Sequence, residues 1–99
     1  MINRKDLARR ISDKTGYFIR DIEEILEAEE DSIAEFISEG HKKIKHHKLF
    51  QLEIKTRPSK TAYDGFNKEY FELPERKYIE FKPLTQLERA IEDVNTESN

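Results

Sequence analysis

Residues 41–82 read HKKIKHHKLFQLEIKTRPSKTAYDGFNKEYFELPERKYIEFK, and the period of this stretch decides the fold. Ile44, His46 and Lys48 alternate with Lys43, Lys45 and His47, the two-residue period of a strand. Residues 49–56, LFQLEIKT, predict a second strand. Residues 67–82 predict a third, which carries Tyr70, Phe71, Leu73, Tyr78, Ile79 and Phe81 and is broken at Pro74. Between the second and third lies Tyr63-Asp64-Gly65-Phe66. Asp-Gly flanked by aromatics predicts a two-residue hairpin turn, because both central positions of a type I′ turn need positive φ.

Upstream of this stretch the period is helical. A first helix is expected from Arg4 to Lys14, with Asn3 as N-cap, Asp6 three positions on, and Leu7, Ala8 and Ile11 on one face. Gly16 ends it. A second helix is expected from Ile19 to Glu39, where Ile22, Ile25, Leu26, Ile33, Phe36 and Ile37 recur and Gly40 closes the run. Downstream, a short helix follows Pro83 with Leu84, Leu87, Ala90 and Ile91 on its apolar face. The chain is therefore an α+β protein with two N-terminal helices, a three-stranded antiparallel sheet with a protruding β-hairpin arm, and a short C-terminal helix. It reads as one domain over residues 1–94, divided into a helical part 3–40, sheet and arm 41–82, and C-terminal helix 83–93. Residues 95–99 are expected to be a disordered tail.

Composition narrows the function classes. The 99 residues are 35% hydrophobic and 39% charged, which is lean for a self-sufficient core, and an obligate dimer would supply the missing burial. The absence of cysteine excludes disulfides and thiolate metal sites. No apolar run approaches the ~20 residues of a membrane span, and charges begin at Arg4. A cytoplasmic protein is expected. The net charge of −3 hides a pattern. Residues 1–40 hold 6 basic and 11 acidic groups, residues 41–82 hold 11 and 6, and residues 83–99 hold 1 and 4. Binding of a polyanion depends on the local patch, and the middle of the chain is basic.

The element order resembles the HU/IHF family of bacterial histone-like DNA-binding proteins over roughly residues 2–93. The residues that carry the resemblance are Asn3-Arg4-Lys5-Asp6-Leu7 at the first helix, Lys14-Thr15-Gly16 at its end, and Gly40 before the sheet. To these are added Leu49, Leu52 and Ile54 at the family's G-F-G-x-F-x-V positions, Pro74 at the end of the returning arm, Phe81-Lys82, and Leu87 with Ala90. One inserted residue near position 42 is needed. The resemblance implies an intertwined dimer whose two arms leave a saddle-shaped sheet, enter the minor groove and bend the duplex, with a proline at each tip wedged between base steps.

The chain departs from that pattern in three places. At the tip, the family's Arg-Asn-Pro is replaced by Tyr63-Asp64-Gly65, so Tyr63 and Phe66 are left either to stack on bases or to pair across the hairpin. Along the arm, a turn centred on Asp64-Gly65 sets Lys60 against Glu69 and Arg57 against Glu72, which would cancel much of the attraction for phosphate. In the body, Glu29 and Glu30 stand where the family's second helix is apolar, and His46 and His47 stand at strand positions that are usually apolar or glycine. A pairing of these carboxylates with these histidines is one reading, and simple exposure to solvent is the other. Glu88 also lies near positions where the family often carries lysine.

Other chemistry finds little support. His41, His46 and His47 fit no standard zinc spacing, and no metal or other cofactor is expected. The acidic run EAEED at 27–31 reads as a solvated helix face, no glycine-rich phosphate loop is present, and an enzyme is not expected. The leading expectation is a nucleoid-associated homodimer that binds and bends double-stranded DNA with little sequence specificity. Lys43, Lys45, Lys48 and Lys82 on the sheet, and Lys55, Arg57, Lys60 and Lys68 along the arm, would contact phosphates, while Tyr63 and Phe66 would meet the minor groove. The alternative is an HU-type fold kept as a protein-interaction or structural module with weakened or lost DNA binding, which its acidic ends and missing tip proline favour.

Overall fold

The computed structural model describes residues 1–97. Two compact units arise, one from Met1 to Gly40 and one from His41 onward.

The first unit is a pair of helices, α1 (Arg4–Thr15) and α2 (Ile19–Ser38). A reciprocal capping box fixes the start of α1: the Asp6 amide donates to Asn3 Oδ1 at 3.0 Å, and the Asn3 amide donates to Asp6 Oδ2 at 3.1 Å. Gly16 ends the helix at φ 79°, its amide donating to the Ser12 carbonyl at 2.8 Å. A Cβ would strain that left-handed conformation. Helix α2 stops one residue short of the expected Glu39, which instead serves as its C-cap before Gly40 at φ 98°.

Packing of α1 on α2 buries Ala8 fully and leaves Ile22 4% exposed. Leu26, Ile33 and Ile37 continue the Ile22 row at half-burial. A second apolar edge of α2 stays largely exposed among the described residues: Phe18 is 78%, Ile25 64% and Phe36 49% exposed. The apolar stripe of α2 is thus wider than one short helix can hide.

The second unit holds five strands where the sequence suggested three. These are β1 (Lys43–His46), β2 (Phe50–Arg57), β3 (Lys60–Asp64), β4 (Glu69–Leu73) and β5 (Arg76–Pro83), followed by α3 (Thr85–Glu97). The expected second strand runs on past Pro58 and Ser59 as β3, and the expected third divides at Pro74 and Glu75. Proline lacks the N–H a ladder requires, so both interruptions fall at proline. The sheet order is β1-β2-β5, all antiparallel, and β3 and β4 form a separate two-stranded arm.

Residues 47–49, read above as strand, form a turn with His47 at φ 49°. The turn has a structural use. Its Lys48 and Leu49 carbonyls accept from the Gln86 and Leu84 amides at 3.1 and 3.0 Å, and so satisfy donors that open α3 and would otherwise be orphaned. Pro83 ends β5 instead of starting the helix. The helix also continues to Glu97, so residues 95–97, expected to be disordered, are helical. Residues 98 and 99 of that expected tail lie outside the described residues.

Candidate nucleic-acid interface

Strand register sorts the side chains of the second unit. Paired residues of an antiparallel ladder project to the same face, and neighbours along a strand alternate. One face of the β1-β2-β5 sheet collects the rungs Ile44–Leu52–Phe81, His46–Phe50–Pro83 and Ile54–Ile79. Ring contacts of Phe50 with His46 at 5.1 Å and with Phe81 at 5.7 Å confirm that these groups lie together. The opposite face collects Lys43–Glu53–Glu80, Lys45–Gln51–Lys82, Lys55–Tyr78 and Arg57–Arg76. Lys43, Lys45, Lys55, Arg57 and Lys82, expected as binding residues, therefore share one face, and Arg76 joins them. Against these six cations stand Glu53 and Glu80, and Glu53 is engaged by Lys55 at 3.6 Å.

Lys48 belongs to the turn instead of a strand. Together with Lys45, His47 and Lys82 it lines a shallow depression at the start of α3 that Glu88 also borders.

The arm differs from the expectation in register. Its strands join through a four-residue loop, Gly65–Lys68, closed by the pair Asp64↔Glu69. Lys68 carries the positive φ of 54°, and Gly65 does not. The cause is the Asp64 side chain. Its Oδ1 accepts from the Phe66 amide at 2.9 Å and the Asn67 amide at 3.4 Å, while Oδ2 accepts from Asn67 Nδ2 at 2.8 Å. This side-chain-closed turn draws two more residues into the loop than a type I′ turn would.

The new register replaces the expected charge pairs. Lys60 lies opposite Leu73, not Glu69, and Arg57 lies opposite Arg76, not Glu72. Tyr63 pairs with Tyr70, ring centroids 5.1 Å apart and planes at 53°, so the cross-strand reading of Tyr63 holds with a different partner. Phe66 stands 98% exposed at the tip. Lys60 and Tyr63 project to opposite faces of the arm. Residues 58–75 nevertheless carry only Lys60 and Lys68 against Asp64, Glu69, Glu72 and Glu75, so positive charge is concentrated on the sheet and the arm is acidic.

Hydrogen bonding at the tip has a consequence for pH. The Phe66 amide, with further help from Asn67, holds the Asp64 carboxyl below its ordinary value of 3.8. A depressed folded-state pKa favours the ionised tip, so this stabilisation is present above pH 3.8 and is lost as pH falls through the lower folded value. Hydrogen exchange at the Phe66 amide is therefore expected to be protected at neutral pH and to lose that protection as pH falls through the lowered folded-state value, and Asp64→Ala should remove it at every pH.

Glu30, weighed above as a partner for a histidine, is held by Arg4 Nη1 at 2.8 Å. Both side chains are about half exposed, so the ion pair contributes at most ~1 kcal/mol. His46 stacks on Phe50. Among the described residues no group of His, Asp and Glu gathers as a metal site, and no helix is long and apolar enough to cross a membrane.

A family model described as "Bacterial DNA-binding protein" matches residues 2–92. The chain belongs to that bacterial DNA-binding protein family. The HU/IHF resemblance read from Lys14-Thr15-Gly16, Gly40 and Phe81-Lys82 is thereby borne out. Among solved structures, the fold is similar to that in the Anabaena HU–DNA cocrystal structure, with a TM-score of 0.70 and 18% identity, over 91% of this chain and 97% of that one. No curated protein matches the chain by sequence.

The placement of two residues in this bacterial DNA-binding protein was not legible in the sequence. Arg76 was hidden in the break after Pro74, and Tyr70 was hidden by the expected two-residue turn. Only the pairing register reveals either.

Proposed function

We propose that the chain is an HU-like architectural protein, a homodimer without catalytic activity that binds double-stranded DNA with little sequence preference and bends it. The observation that carries this reading is the basic sheet face: six cations fall on one side of a sheet whose own strands β2 and β5 lead into the arm. Lys43, Lys45, Lys55, Arg57 and Lys82, with Lys48 at the turn, would hold the phosphate backbone, where attraction is independent of sequence. Lys60 and Lys68 would add the arm's few phosphate contacts. Phe66, exposed at the tip, takes the place of the wedge proline, and Tyr63 supports the arm through Tyr70. A second copy would cover the α2 edge of Phe18, Ile25 and Phe36. Such a protein would act in the cytoplasm on the nucleoid.

The acidic arm favours the second reading, an HU-type fold turned to a protein partner with DNA binding weakened. Titration of a fluorescent duplex of about 30 base pairs at ~50 and ~200 mM salt separates the two. Affinity that falls steeply with salt, and that is higher for a bulged duplex, supports the DNA reading. Lys45→Gln and Lys82→Gln are then expected to weaken binding equally on unrelated sequences, and to lower the salt slope by roughly 1 for each phosphate no longer neutralised. Absence of binding at low salt would shift the function to a protein partner.

A further inference from the structure

The last rung of the three-stranded sheet joins two arginines. Arg57 ends β2, Arg76 opens β5, and the two are Cα partners. Their side chains leave the same basic face. Like charges set directly opposite each other destabilise a sheet, and a neighbouring carboxylate commonly relieves them. No such relief exists here: among the described residues neither guanidinium has an ion pair or side-chain hydrogen bond, and the nearest carboxylate along β2, Glu53, is taken by Lys55. Beyond this rung lie Pro58 on one strand and Glu75 and Pro74 on the other, and past them the chain becomes acidic. Arg57 and Arg76 thus stand where the positive surface ends and the arm begins.

We propose that Arg57 and Arg76 form a two-guanidinium clamp for a single phosphodiester at the root of the arm. The proposal rests on the DNA-binding reading above and adds to it a defined anion site. Guanidinium groups present planar, forked donors that match phosphate oxygens, and two such forks on adjacent strands enclose one phosphate from both sides. An anion between them also cancels the repulsion that the rung otherwise bears.

The test uses Arg76→Gln in the full chain, with two readouts. Thermal unfolding at low salt should shift up by about 2 °C, because the repulsion is gone, and the same scan shows that the variant is folded. Binding of a duplex of about 30 base pairs should weaken roughly 3- to 10-fold at ~100 mM salt, with the salt slope lowered by about 1 per phosphate released. Arg57→Gln should do the same, and the double variant should add little to either single one, since both side chains share one phosphate. Arg76→Lys keeps the charge without the fork and should recover the salt slope but not the full affinity. Lys77→Gln, an equal change of charge on the opposite face of the same sheet, should leave binding unaltered.

Wild-type affinity and slope in Arg76→Gln would overturn the clamp while DNA binding stands. Additive losses in the double variant, or an equal loss in Lys77→Gln, would overturn it too, since each would show independent or merely general attraction. A wild-type protein that ignores the duplex at ~50 mM salt would overturn both the clamp and the DNA reading.

Discussion

Replacing Phe36 by aspartate is expected to abolish the homodimer and with it the cooperative thermal transition. Ile25 is 64% and Phe36 49% exposed on one side of α2, and a second copy is the cover proposed for them. Burial of a phenylalanine side chain contributes about 1.5–3 kcal/mol. A carboxylate in its place adds the cost of an unpaired charge in an apolar interface, at least as large again. The combined loss of roughly 3–6 kcal/mol weakens association by about 10²- to 10⁴-fold. Among the described residues only Ala8 and Ile22 are buried within one chain, so a protomer has little core of its own with which to survive separation. Sedimentation across a concentration series, with circular dichroism on heating, reads both effects. A Phe36→Asp protein that remains dimeric and melts as wild type would place the subunit interface elsewhere.

Replacing Phe66 by alanine is expected to remove most of the bend while leaving the salt dependence of binding in place. On the proposed reading the basic sheet face would supply the phosphate contacts, and the arm, with two basic groups against four acidic ones, would supply few. What the arm offers is an aromatic ring at a tip held by the Asp64 side chain. Stacking of a base on such a ring is worth about 1–3 kcal/mol, a factor of roughly 5 to 150 in affinity for kinked DNA. Energy transfer between dyes at the two ends of a duplex measures the bend directly. Loss of transfer with an unchanged salt slope is the expected result, and full bending by Phe66→Ala would remove the ring from the mechanism. Tyr63→Ala should have a smaller effect, because it only strips Tyr70 of its ring partner and loosens the arm.

The clamp, the wedge and the sheet face together describe a division of labour that follows from charge. Residues 58–75 carry two basic and four acidic groups, so the arm cannot follow a groove lined by phosphates on charge alone. On the proposed reading attraction would be generated on the sheet and end at the Arg57–Arg76 rung, and the arm would act through its exposed aromatic tip.

Much of this protein was legible in its sequence, because much of it is local. The capping box of Asn3 and Asp6, the stop at Gly16, the helical period of Ile22 to Ile37 and the alternation around Ile44 and Leu52 each involve residues a few positions apart. From these came the element order, the HU/IHF resemblance and the basic middle of the chain. The division into a basic and an apolar sheet face was implicit in the same alternation, since a period of two leaves each strand only two sides. The pairing of the arm was a different matter. An Asp-Gly sequence admits a two-residue turn and a longer loop alike, and the choice fell to hydrogen bonds from the Phe66 and Asn67 amides to the Asp64 carboxylate. That choice set Tyr63 beside Tyr70, freed Lys60 from Glu69 and brought Phe66 to the tip. The opposition of Arg57 and Arg76 is likewise a property of strand register, which depends on residues nearly twenty positions apart, and tertiary structure alone decides it.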